Sequence, residues 1–172
     1  MLEAQILPLL ISPELTFRRG DLKGSVRNVC LACSRYRKLF TEYANAREWA
    51  ESLSYERDAD ADRALIAVTK NCEDIALLEL VSAGDTLTIA LLLVSSSSRF
   101  HGIGRACVRA VENAAKVAGY AALSLGVHST NNEAMTFWGR AGFSDCGFLG
   151  RGDHGILQME RVLDRPFANA QS

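Results

Sequence analysis

The chain has 172 residues, a length typical of one domain that buries a core without needing a metal or a disulfide. Hydrophobic residues make up 48% of it and charged residues 23%, a balance that excludes wholesale disorder. Its 19 basic and 20 acidic residues give a net charge of -1. A dedicated nucleic-acid-binding protein needs a basic excess, so we expect no nucleic-acid partner.

The apolar run at residues 6–11 is too short to span a bilayer, and no basic segment precedes it. Five cysteines, an odd number without a secretory signal, indicate reduced thiols. Cys30 and Cys33 form a Cys-x-x-Cys pair with no second pair to complete a metal site, so we expect two residues of one helix. These features predict a cytoplasmic protein with no metal and no membrane partner.

The first third of the chain favours helices. Residues 1–13 are apolar and contain two prolines, which predicts an N-terminal extension in the form of an edge strand or an arm onto a partner. A short strand at residues 15–18 follows. The apolar spacing then predicts one helix that begins after Asp21 and a second from Tyr36 to Leu53. The acidic residues in 56–63 predict a charged loop.

The rest of the chain alternates between strands and helices, in an order typical of a mixed α/β layout with a meander and one right-handed crossover. The strand at 86–94 is apolar on both faces, so we expect it to be central. Predicted strands lie at residues 64–69, 75–81, 86–94, 121–127, 143–149 and 156–162, and predicted helices at 104–118 and 132–140.

The glycine loop, defined here as residues 95–104, joins the end of that strand to the start of a helix. Backbone N–H groups at a helix N-terminus are unpaired and hold anions, most simply a pyrophosphate. Gly102 and Gly104 have no Cβ to block a phosphate. A dinucleotide-binding fingerprint is excluded because Cys107 stands where a third glycine is needed, and a P-loop lacks its Gly-Lys-Ser/Thr ending.

Two motifs carry a resemblance to a known family. The first reads Arg99-x-x-Gly102-x-Gly104 and the second Asn131-x-x-Ala134-x-x-x-Trp138-x-x-x-Gly142-Phe143. The first resembles the Gln/Arg-x-x-Gly-x-Gly/Ala motif of the Gcn5-related N-acetyltransferase (GNAT) superfamily. The second is similar to that family's next motif, with Trp138 in place of the family's tyrosine. The resemblance covers residues 14–163.

The resemblance implies an α/β acyl-CoA N-acyltransferase (GNAT) fold, with a mixed central sheet of about seven strands, flanking helices and a splayed fourth and fifth strand. It divides the chain into an extension (1–13), an N-acetyltransferase domain (14–164) and a C-terminal tail (165–172). It also implies an enzyme that moves an acetyl group from acetyl-CoA to a primary amine by direct attack on the thioester.

The resemblance further implies which residues hold the coenzyme, with pantetheine along the splayed strand and pyrophosphate on the glycine loop. Asn131 is alternatively a helix cap. We expect Trp138 to form part of the wall of the coenzyme site and not to act as an acid, because an indole N–H cannot serve as one. The implied coenzyme residues are Leu92, Leu93, Val94, Arg99, Phe100, His101, Gly102, Ile103, Gly104, Arg105, Ala106, Asn131 and Trp138.

The catalytic base has two candidates. Thr88 occupies the position at which the histone-acetylating branch of the family has glutamate, and threonine is not a general base. Glu79 alternates with apolar residues on one strand face, and such a carboxylate needs a partner or a task. His128 follows the fifth family strand, and imidazole changes charge near neutral pH. A structural ion pair for Glu79, a solvated loop position for His128 and a water chain with no dedicated base stay open.

The acceptor amine is not identified by the sequence. The acidic residues Asp58, Asp60 and Asp62 would attract a cationic amine, or are simply a solvated face. A second reading, motivated by Thr88 and Trp138, is a sensor or partner module that binds coenzyme A or acetyl-CoA with little transferase activity. A homodimer also stays open.

Overall fold

A single mixed sheet organises the computed structural model, which describes residues 1–21, 24–33, 45–150 and 155–164. In this part of the chain the sheet has seven strands in the order β1-β2-β3-β4-β5-β7-β6. The strands are β1 (Thr16–Arg19), β2 (Arg63–Lys70), β3 (Glu73–Ala83), β4 (Thr86–Val94), β5 (Ala122–His128), β6 (Ser144–Leu149) and β7 (Ile156–Val162).

All neighbouring strands run antiparallel except β4 and β5, which run parallel. Parallel neighbours need a crossover, and a helix between them supplies it. The predicted mixed α/β fold with a central strand at 86–94 is therefore confirmed.

Helices cover both faces of the sheet. The helices are α1 (Leu2–Ile6), α2 (Ser25–Ala32), α3 (Ala46–Ala59), α4 (Ile103–Ala118) and α5 (Asn132–Arg140). On one face, side chains of α1, α4 and α5 share a core with Ile66, Leu78 and Leu123. On the other, side chains of α2 and α3 pack against Leu77 and Leu91. None of the helices in the described ranges is long and apolar enough to cross a membrane.

Two predictions about elements were wrong. Residues 1–13 do not form an edge strand: Leu2 and Ile6 lie one turn apart in the short helix α1 and, with Leu10 beyond it, are buried in the core that α4 shares. The expected charged loop at 56–63 is much shorter, because α3 continues to Ala59. Acidic residues alone do not end a helix, and no Gly or Pro stands in this segment.

Some predictions fall outside the described residues. These are residues 36–44 of the second predicted helix, residues 22 and 23 at the start of the first, the side chain of Asp58 and the tail at 165–172.

Candidate active site

β4 and β5 separate after a short paired segment. Their ladder runs from Thr86 opposite Ala122 to Thr88 opposite Ser124. The hydroxyls of Thr88 and Ser124 lie 2.7 Å apart at its last rung. Beyond it, the register between β3 and β4 skips Ala90, and a bulge of this kind bends its strand. We call the resulting opening between residues 89–94 and 125–128 the cleft.

Backbone polar groups of β4 point into the cleft. The N–H of Ser95 donates to the carbonyl of Ile75 at 2.8 Å, which makes Val94 and Ala76 a non-hydrogen-bonded pair. By alternation, Leu93 exchanges its two bonds with β3, and the backbone groups of Leu92 and Val94 face the other way. Of the predicted strand residues, Leu92 and Val94 therefore offer backbone to the cleft, whereas Leu93 does not.

The β5 wall follows the same logic. The N–H of Ser129 donates to the carbonyl of Gly155 at 2.9 Å, so His128 and Ile156 form a non-hydrogen-bonded pair. The backbone groups of Gly126 and His128 consequently face the cleft. Two strand edges with N–H and C=O groups outside the sheet ladder thus face each other, which suits a ligand that carries amides of its own.

The cleft opens a cavity of about 830 Å³, within the size range of small-molecule sites. Four predicted residues do not line it: Leu93, Ala106, Glu79 and His101, the last of which lines a smaller neighbouring cavity. The predicted residues that do line it are Leu92, Val94, Arg99, Phe100, Gly102, Ile103, Gly104, Arg105, His128, Asn131 and Trp138.

The glycine loop ends at the N-terminus of α4. Gly102 takes a φ of +78° as the N-cap residue, and no side chain in the described ranges caps this end of the helix. A Cβ on Gly102 would meet no described atom within 4 Å. The first N–H groups of α4 therefore border the cleft in the arrangement that binds anions.

Gly104 lines the cleft and also packs against α5. A Cβ at this position would lie 3.2 Å from Cζ of Phe137, so the glycine admits the Phe137 ring. Close packing of α4 on α5 therefore depends on Gly104.

Arg99 ties the glycine loop to β4. Its Nε donates to the carbonyl of Val94 at 3.2 Å, and Nη1 lies 3.6 Å from Oε1 of Glu133. The Cys33 thiol donates to the same carbonyl at 3.2 Å. The guanidinium thus orders the loop from within.

The second motif builds the start of α5. Oδ1 of Asn131 accepts a hydrogen bond from the N–H of Ala134 at 3.1 Å and caps the helix. Trp138 is 7% exposed, and its ring meets those of Phe137 and Phe143 edge-on, with centroids 4.9 and 5.2 Å apart. It forms part of an aromatic wall of the cleft.

The two base candidates lie in different surroundings. His128 stands exposed at the end of β5 and lines the cleft. Glu79 is 4% exposed under α2 and α3, and its Oε1 lies 2.6 Å from Nη1 of Arg63. The strand register places it beside Leu91, so one apolar side chain separates it from the cleft.

The predicted acidic residues Asp60 and Asp62 lie away from the cleft mouth. The carbonyl of Asp60 accepts from Arg63 and that of Asp62 from Ser82, at the end of the sheet where β4 and β5 are still paired. This position gives no support to attraction of an amine by Asp60 and Asp62.

Several residues of the cleft were not found from the sequence. Gly126 could have been found, because a glycine inside a strand indicates that another group approaches its backbone closely. A Cβ added at Gly126 would lie 2.8 Å from Cγ2 of Ile156. No sequence pattern indicates the other cleft residues, because a bulge and the inner face of a short helix are set by tertiary packing. These residues are Ala90, Phe137 and Arg140.

Comparisons with known proteins come from three directions. The sequence profile described as the acetyltransferase (GNAT) family matches residues 31–143. No curated protein matches the chain. Among solved structures, an acetyltransferase from Thermus thermophilus is 20% identical, with a TM-score of 0.70 over 87% of this chain and 97% of that one.

Two other similar structures are named for their acceptors. The ribosomal-protein-S18-alanine N-acetyltransferase of Escherichia coli is 16% identical, with a TM-score of 0.64 over 90% of this chain and 97% of that one. A spermidine/spermine N-acetyltransferase of Vibrio cholerae is 16% identical, with a TM-score of 0.67 over 88% and 95%. At these identities the likeness shows a shared fold.

Proposed function

Because the chain belongs to the GNAT acetyltransferase family, which uses acetyl-CoA as cosubstrate, we propose that it transfers an acetyl group from acetyl-CoA to a primary amine. The observation that carries this proposal is the cleft, where strand edges outside the sheet ladder lead to the N-terminus of α4, which no side chain of the described residues caps. These two features fit the two polar parts of the coenzyme, its amide-bearing pantetheine arm and its pyrophosphate.

The proposed binding mode follows from the backbone directions. The backbone groups of Leu92 and the N–H of Val94 hydrogen-bond the pantetheine amides as a neighbouring strand would. The Val94 carbonyl does not take part, because it already accepts from Arg99 and Cys33. The N–H groups of residues 100–105 receive the pyrophosphate, whereas that of Ala106 already donates to the carbonyl of Gly102. Arg99 holds this loop in place through the Val94 carbonyl, and Trp138 provides an apolar wall.

The proposed reaction is direct attack. The neutral amine nitrogen bonds to the thioester carbonyl carbon, and the oxyanion that forms accepts a hydrogen bond from a cleft-facing N–H, for which Leu92 is positioned. The C–S bond then breaks and the sulfur leaves as a thiolate, which a thiol pKa of about 8.5 permits without an acid. The proton lost by the nitrogen passes to a base.

We assign that base to His128. Its side chain shares a sheet face with Ser124 and Gly126 and stands at the cleft, where an incoming amine is within reach directly or through one water. Glu79 remains the second candidate, with the disadvantage of its ion pair with Arg63 and its position behind Leu91.

The test is a panel of amines with acetyl-CoA, monitored as release of free thiol. The panel contains peptide N-termini, a lysine peptide, polyamines, aminoglycosides and small amino metabolites. With a confirmed acceptor, we expect His128→Gln to lower kcat by about 100-fold near neutral pH. Calorimetric affinity for acetyl-CoA should stay unchanged. A loss below fivefold would reject His128 as the base.

One observation favours a second function. Trp138 occupies the family's tyrosine position inside a packed aromatic cluster and offers no acid to the leaving sulfur. A module that binds acetyl-CoA as a sensor would retain the cleft without this group. Tight binding of acetyl-CoA with no turnover across the whole panel would favour the sensor over the transferase.

A further inference from the structure

Phe100 is an unusual residue of the glycine loop. Its φ is +63°, and the residue is 91% exposed at the border of the cleft. Within the described ranges, the other non-glycine residues with positive φ are Asn71 and Cys72, which form the two-residue turn between β2 and β3. Such hairpin turns require positive φ. Phe100 has no hairpin to explain it.

Both properties of Phe100 are unfavourable in the protein alone. A bulky residue in the left-handed region is strained. A phenyl ring that stays exposed to water forgoes the favourable free energy of burying its apolar surface. Strained residues of this kind concentrate at ligand sites, where a bound group uses the side chain that the backbone holds out.

The order of groups along the proposed ligand indicates which of them would reach the Phe100 ring. Pantetheine in the cleft and pyrophosphate on the amides of the glycine loop leave the ribose and adenine beyond the loop, outside the paired strands. Phe100 borders the cleft two residues before Gly102, the N-cap of α4, and the exposed Arg105 lies in the first turn of that helix. A flat, exposed ring next to a purine is suited to stacking, which needs no hydrogen-bond partner.

We propose that the ring of Phe100 stacks on the adenine of the coenzyme and makes the nucleotide half of acetyl-CoA a determinant of affinity. This inference rests on the proposed function, because it takes coenzyme binding in the cleft as given. It adds a contact between a named side chain and the purine, separate from the backbone contacts to the phosphates.

The experiment compares coenzyme A with 4′-phosphopantetheine, which retains the arm and one phosphate but lacks the nucleotide. Calorimetry would measure both ligands with the wild type, Phe100→Ala and Phe100→Tyr. We expect Phe100→Ala to bind coenzyme A about tenfold more weakly, as loss of one base–aromatic stack predicts. It should bind 4′-phosphopantetheine within about twofold of the wild type, and Phe100→Tyr should behave as the wild type.

Phe100→Gly separates the ring from the backbone, because glycine adopts a φ of +63° without strain. It should unfold at the same temperature as the wild type or higher, yet lose as much affinity for coenzyme A as Phe100→Ala. Unchanged affinity for coenzyme A in both variants would overturn the stacking while leaving the proposed function intact. Equal losses for both ligands would also overturn it, because the loop amides would then be responsible. A wild type that does not bind coenzyme A would refute the proposed function itself.

Discussion

Trp138 stands where the family has tyrosine, so this position can pack against the coenzyme but cannot supply a proton. The indole meets Phe137 and Phe143 edge-on and is nearly buried, so its contribution lies in the aromatic wall. We expect Trp138→Phe to leave kcat within about fivefold and to raise KM for acetyl-CoA, because a general acid would contribute roughly 100-fold or more to the rate. Steady-state kinetics from pH 6 to 9 would measure both. A hundredfold fall in kcat at constant KM would mean that the indole acts in the transition state.

Glu79 gives the second residue-scale prediction. Its carboxylate is buried against Arg63, so Glu79→Gln would deprive a largely buried guanidinium of this counter-charge. We expect the free energy of unfolding to fall by about 3 kcal/mol and kcat of the folded variant to stay within about fivefold.

Urea unfolding and single-temperature kinetics would measure the two effects of Glu79→Gln. Glu14→Gln is the matched control, because it removes a carboxylate from the exposed pair with Lys70 and should change stability by less than about 0.5 kcal/mol. A stable Glu79→Gln variant with a hundredfold loss of kcat would transfer the base role from His128 to Glu79.

The sequence predicted the two base candidates but not the difference between them. Alternation along β3 correctly put Glu79 on one face with Leu77. It was wrong for Ile75, which packs in the core of the opposite face because the register of β2 against β3 shifts there. It could not say that Arg63, sixteen positions earlier, would supply a partner, because that pair depends on the register of β2 against β3. His128 was placed correctly at a strand end, because the apolar pattern of β5 stops there.

At the scale of elements, Gly104 of α4 lies close to Phe137 of α5. A Cβ at Gly104 would lie 3.2 Å from the Phe137 ring, so Gly104→Ala should push the helices apart. We expect a loss of about 1 kcal/mol in unfolding free energy and weaker coenzyme binding, because overpacking shifts the backbone. In a Phe137→Leu background the same change should be neutral or stabilising, since alanine favours helix.

Thermal unfolding and calorimetry on the four proteins of this cycle would give the coupling between Gly104 and Phe137. Additive effects would contradict the contact. No sequence pattern indicates this contact, because the glycine pair was interpreted only as an opening for phosphate. Gly102 has a left-handed φ and open surroundings, whereas Gly104 lies against the Phe137 ring.

For the whole molecule, periodicity predicted most of the sheet and the helices beside it. The strands from β2 to β7 lie within a few residues of their predicted positions because their apolar patterns are strong. The N-terminal helix was missed because five residues give too short a pattern, and its place is fixed by burial of Leu2 and Ile6 in a core formed by distant parts of the chain. The cleft itself depends on a bulge at Ala90, which no periodicity indicates.

The buried thiols make the whole fold sensitive to alkaline pH. Burial raises the pKa of Cys30 and Cys107 to about 12 and that of Cys33 to about 11. An unfolded thiol has a pKa of about 8.5, so above that pH the unfolded chain loses protons that the folded one keeps. The stabilisation is complete below about pH 8.5 and is lost as pH rises towards 11 or 12, at up to about 1.4 kcal/mol per pH unit for each thiol.

Urea unfolding at several pH values between 8 and 11 would measure this slope in the wild type and in Cys107→Ala. We expect the variant to be less stable at pH 8 and to have a shallower slope, because one buried thiol no longer contributes. Cys72→Ala is the matched control, since Cys72 is exposed and should leave the slope unchanged. Lysines and tyrosines also titrate in this range, but they are common to all three proteins and cancel in the comparison. Identical slopes in wild type and Cys107→Ala would mean that the buried thiol ionises as readily in the folded state as in the unfolded one.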